Sequence, residues 1–125
     1  MYIDQRDFLL AGGFGEMLGN DVTKLQRAIE PCANLLDVTR KSQMLVMHTR
    51  EGHHKHMKDV HYHKQRKGEV IGSDGPMGKI LLRGEPGHDI IPELYPLPHE
   101  PIIDKPGKVR SVLYSSYLIY ICTYN

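Results

Sequence analysis

Lys105 stands where a lysine is either structural or catalytic. A short apolar run, Pro101-Ile102-Ile103, leads straight into Asp104-Lys105, and a Pro-Gly turn follows at Pro106-Gly107. β-branched residues ending in a polar pair at such a turn predict a buried strand that delivers Lys105 to its carboxyl end. In open α/β sheets that edge is where ligands bind. Asp4, after Tyr2-Ile3, stands at a second strand end, where it reads as a cap or turn residue. The two cysteines are Cys32 and Cys122, with no spacing that suggests a disulfide framework or a metal site. Cys32 falls on an apolar helical stripe, the setting of a small core thiol. Cys122 lies in a strand-prone run.

A third group is the tract Arg50 to Lys67. It contains His53, His54, His56, His61 and His63 among Lys55, Lys58, Lys64, Arg66 and Lys67. His-rich tracts can bind metal. Here no HExxH pattern or paired cysteine supports a ligand set, and the interleaved lysines oppose a cation. The tract reads as a solvated loop, with binding of metal or anions as the alternative.

The elements that must position these residues follow from patterning. Arg83 to Lys108 holds six of the eight prolines and three of the twelve glycines, so it is irregular backbone around one short element. Val22, Leu25, Ile29, Cys32, Leu35 and Leu36 form one apolar stripe and predict a helix over 21–41, kinked at Pro31. Leu9 to Gly15 predicts a glycine loop. Met44-Leu45-Val46-Met47 predicts a strand covered on both faces, as in a parallel sheet. Lys79 to Arg83 reads as a short strand, and Ile90 to Leu94 as one helical turn with proline near its start. Strand, helix, strand makes a βαβ unit with a right-handed crossover.

Net charge of +1 gives no global field for nucleic acid or membrane. No run is apolar enough to span a bilayer, and the opening residues lack the apolar core of a signal peptide. Cysteine usage fits a reduced, cytoplasmic setting.

Four segments occur in order: Asp4-Gln5-Arg6-Asp7-Phe8, the Gly-Gly-Phe-Gly loop, His48-Thr49-Arg50-Glu51-Gly52-His53, and Arg83 to Lys108. Together they make residues 2–108 resemble the isochorismatase-like cysteine hydrolases, and within them the biuret hydrolase and N-carbamoylsarcosine amidohydrolase branch. The resemblance implies a three-layer α/β/α, Rossmann-like sandwich of which this chain holds the first half of the parallel sheet. It implies hydrolysis of C–N bonds in amide, urea and carbamoyl compounds by an Asp-Lys-Cys triad, without a cofactor. In this logic a base and a positive charge activate the thiol, and backbone N–H groups stabilise the oxyanion.

The family aspartate falls on Asp4, in a motif one residue shorter here than the family pattern, and the family lysine falls on Lys105. The family cysteine has no counterpart, so the expected chain is a truncated homologue without turnover. Residues 1–108 then form the N-terminal part of a hydrolase domain. Residues 109–125, VRSVLYSSYLIYICTYN, form a divergent β-prone tail. The expected partner of an active form is a small amide or carbamoyl substrate. The alternative is a non-catalytic interaction protein, docking on a second copy or a full-length relative through an open sheet edge.

Overall fold

The computed structural model describes residues 5–60, 62 and 70–106. They form an α/β arrangement. Helices α1 (Arg6–Leu9), α2 (Phe14–Met17), α3 (Val22–Gln26) and α4 (Ile29–Lys41) precede strand β1 (His48–Glu51). A two-residue hairpin, β2 (Asp74–Gly75) with β3 (Gly78–Lys79), follows. Two 3-10 turns, Pro86–His88 and Pro92–Leu94, lead to strand β4 (Ile102–Lys105). β1 and β4 pair in parallel, with His48 opposite Ile102 and Glu51 opposite Lys105.

The expected helix over 21–41 is two helices. Asp21 caps α3, its side chain accepting from the Thr23 backbone N–H at 3.2 Å. The chain then breaks at Arg27-Ala28, and α4 starts at Ile29. Pro31 therefore sits in the first turn of α4 and does not kink a helix interior. Its missing N–H would have bonded the carbonyl of Arg27, and a first-turn position has no such bond to lose. The apolar stripe is only partly covered: Val22 is buried, but Leu25 and Leu35 are exposed.

Met44 to Met47 is not a strand. Pairing begins one residue later, where the His48 N–H bonds the Pro101 carbonyl at 2.9 Å. The partner segment sets this start, because Pro101 has no N–H to extend the ladder backwards. Met44 and Leu45 are exposed rather than covered. Lys79 to Arg83 is also not a strand, since Leu81 has a left-handed φ of 55°. Instead, the His53 N–H donates to the Leu81 carbonyl at 2.8 Å, and the His53 carbonyl accepts from the Arg83 N–H at 3.0 Å. The expected glycine loop closes into α2, with Phe14 buried and meeting Phe8 edge-on at 6.0 Å. The turn near Ile90 to Leu94 does form, with Pro92 at its start.

Two small cores hold these pieces together. Leu9, Ile90, Ile91 and Leu94 make one, against which Ile29, Cys32 and Ala33 pack. Phe14, Ile80 and Leu81 make the other. The first core ties α1 and α4 to the proline-rich segment. That segment is long in sequence yet fixed in space, because burying its isoleucines removes apolar surface from water. Tail residues Val109 to Asn125 lie outside the described residues.

Candidate active site

The C-terminal ends of β1 and β4 meet where the sequence places its chemistry. Lys105 is the last residue of β4 and stands opposite Glu51. The Gly52 N–H donates to the Lys105 carbonyl at 2.9 Å, which fixes the backbone at that position. Side chains alternate across a strand, so Lys105 and Asp104 leave opposite faces of the sheet. The lysine is half-buried, and no ion pair engages its ammonium among the described residues.

Asp4 lies outside the described residues, but its neighbour Gln5 is held at this same edge. The buried Gln5 amide donates to the Glu51 carbonyl at 2.8 Å and accepts from the Glu51 N–H at 2.9 Å. It thereby does for Glu51 what an adjoining strand would do. The same amide nitrogen donates to the His88 carbonyl at 3.1 Å. The Arg6 N–H donates to the Asp89 carbonyl at 2.9 Å, and Gln5 bridges to Ile90. The chain is thus clamped, one residue after Asp4, to the end of β1 that registers with Lys105.

Behind this edge lies an ionic group. Arg50 Nε donates to Asp104 Oδ1 at 2.8 Å and its Nη2 to Oδ2 at 3.1 Å, a two-pronged fork. Its third nitrogen reaches Asp89 Oδ1 at 3.2 Å. Arg83 links the two strands from the other side, donating to the Gly52 carbonyl at 3.0 Å and to the Asp104 carbonyl at 3.4 Å. Burial pushes the Asp104 carboxyl upward. The polar contacts with His88 and Arg50, and their charge, outweigh burial and hold it well below the usual carboxylate range. Of the two partners, Arg50 has the better geometry. His88 Nε2 stands 3.4 Å from Asp104 Oδ1 without hydrogen-bond alignment.

Two close approaches shape this floor. The buried His88 ring lies over Gly52, where an added Cβ would overlap Nε2. The buried Asp7 carboxyl lies over Gly87 in the same way. Burial raises the Asp7 carboxyl, against the pull of the Phe14 backbone N–H and the His88 charge. Gln5, Asp7, Arg50 and His88 are not among the site residues expected from the sequence, although all four lie in motifs that carry the resemblance: Gln5 and Asp7 in Asp4–Phe8, Arg50 in His48–His53, and His88 in the RGEPGHD stretch.

A second buried ion cluster stands at the opposite end of β1. Arg40 donates to both Glu100 oxygens at 2.7 Å, and His48 Nε2 lies 3.0 Å from Oε2. The Leu97 N–H adds a bond at 2.9 Å. The Arg40 hydrogen bonds lead the lowering of the Glu100 carboxyl to about 2. This cluster fastens α4 to the start of the strand pair.

The histidine tract divides. His53 is fully buried, not part of a solvated loop, and its Nδ1 lies 3.7 Å from Asp59 Oδ2. His61 and His63 lie outside the described residues. Among the described residues no group of three or more His, Cys, Asp or Glu is arranged to hold a metal ion. Cys32 sits on α4 against the Leu9–Ile90 core, on an element separate from the Lys105 edge. Cys122 lies outside the described residues. Among the described residues no helix is long and apolar enough to cross a membrane. The family model described as Isochorismatase domain matches residues 4–116 of the chain, running past Lys108 into the tail.

Proposed function

Because this chain belongs to the isochorismatase family of hydrolases, we propose that it carries the base and lysine positions of a site for hydrolysing C–N bonds in amide, urea or carbamoyl compounds. Asp4 is the base position and Lys105 the lysine position. In this reading the described strands are the first half of the sheet of a three-layer sandwich. The observation that carries it is the clamp of Gln5 onto Glu51, which stands in register with Lys105. It brings the residue beside Asp4 and the strand end bearing Lys105 to one edge. An ammonium there would stabilise negative charge developing on a carbonyl oxygen, and a carboxylate would take a proton from a nucleophile.

The nucleophile is the departure. In this reading the nucleophile is missing: Cys32 packs against the Leu9–Ile90 core from α4, and Cys122 falls in a strand-prone run outside the described residues. In this reading these 125 residues hold two of the three triad positions, and no turnover is expected of them.

The test is ammonia release from a panel of simple amides, ureas and carbamoyl amino acids, with wild type, Lys105→Ala and Cys122→Ser. All three are expected to match buffer. Release by wild type that is abolished by both substitutions overturns the absence of turnover. Binding of the panel compounds, followed by calorimetry, is expected to weaken in Lys105→Ala; equal binding overturns the site.

A further inference from the structure

We propose that the chain's own tail, Tyr117 to Cys122, docks into the apolar groove between α4 and residues 45–48. This is a self-interaction surface that does not rest on the hydrolase reading. The groove is open, has a volume of about 390 Å³ and is lined by Cys32, Leu35, Leu36, Leu45, Val46 and Leu94, among others. Its rim is unusually apolar for a surface. Leu35 is 66% exposed and Leu45 67%, and Val38 and Met44, close to them in sequence, are also exposed. No described strand pairs with residues 45–47, although they run directly into β1. Contiguous apolar surface of this kind marks a place that something covers.

The covering segment is within reach. The chain continues from Lys105 for twenty residues, and Ser111 to Asn125 contains no charged side chain. Tyr117-Leu118-Ile119-Tyr120-Ile121-Cys122 is apolar at six consecutive positions, so in an extended conformation both of its faces call for cover. Eleven residues separate Lys105 from Tyr117. Extended, they span roughly 35 Å, against about 13 Å needed to return along a four-residue strand. One segment needs two apolar faces covered, and one groove beside an unpaired backbone needs filling. Docking satisfies both in one step, with strand pairing along 45–47 and side chains entering between Leu35 and Leu45.

The two native thiols report on it, since Cys32 lines the groove and Cys122 ends the docking segment. The full chain is treated with a flexible bismaleimide and mapped by peptide mass spectrometry. A second form, Cys32→Ser with Leu45→Cys, moves the groove thiol to an exposed site, so that shielding of Cys32 does not obscure the result. The expected product is an intrachain bridge in a monomer, from Cys122 to Cys32 in the native chain and from Cys122 to the thiol introduced at position 45 in the second form. Leu35→Glu, at an exposed position outside the core, is expected to remove most of that product while leaving the thermal melt in place. Interchain bridges would show that a second copy fills the groove. Single alkylation of both thiols in both forms would show that nothing of this chain does. Either result overturns the proposal.

Discussion

Arg50 holds both oxygens of Asp104 with one planar group, and its third nitrogen reaches Asp89. Only a guanidinium can make that fork. Arg50→Ala leaves the Asp104 carboxylate beside a poorly aligned His88 in a partly buried place. The expected loss is about 1–3 kcal/mol in urea unfolding, with Arg50→Lys recovering only part of it. Glu100 gives a pH signature instead. Its folded carboxyl titrates at about 2 against an ordinary 4.5. A lowered carboxyl stabilises the fold above its unfolded value, and that stabilisation is lost as pH falls through the folded value. The stability gap between wild type and Glu100→Gln is therefore expected to be full at pH 6 and to close between pH 4.5 and about 2. Thermal melts across that range check it, and a gap that does not change with pH contradicts the assignment.

At the scale of elements, backbone approach decides more than propensity. Gly52 follows β1 directly, and the His88 ring occupies the space a side chain there would need. His88 is itself buried, so a side chain at position 52 meets a ring packed on its far side as well. Gly52→Ala is expected to cost about 1–3 kcal/mol and to loosen the β1–β4 junction, seen as faster hydrogen exchange at the Gly52 amide that bonds Lys105. Much of this junction was legible beforehand. The Pro101-Ile102-Ile103-Asp104-Lys105 run ends in a turn signal, and β4 does end at Lys105, but it is not the buried strand expected: Ile102 is exposed and the other three residues are only half-buried. Pro92 opens the expected turn because its fixed φ suits a helical start. Met44 to Met47 misled because an apolar run looks the same whether a strand or a groove wall uses it. The break before Pro31 was hidden because the Val22-to-Leu36 stripe stays in phase across it. Gln5 and His88 carried no periodic signal, since their work is to satisfy single backbone groups at long sequence separation.

For the whole molecule, the described residues build a strand pair, two small cores and two ion clusters, one at each end of β1. The arrangement orients Lys105 and the residue beside Asp4 without bringing Cys32 to them. Family membership supplies the chemistry that such an edge serves in a hydrolase, and the proposed absence of a placed thiol separates site architecture from turnover. Cysteine hydrolysis passes through a covalent intermediate: the thiolate attacks the carbonyl carbon, and the leaving nitrogen departs with a proton. Intact-mass spectrometry of the 125-residue chain, quenched in acid after incubation with activated carbamoyl and acyl esters, looks for that intermediate directly. After peptide mapping, the prediction is the same set of background amine adducts in wild type, Cys122→Ser and Lys105→Ala, with none on Cys122. A carbamoyl or acyl adduct that maps to Cys122 and disappears in Lys105→Ala would contradict the account.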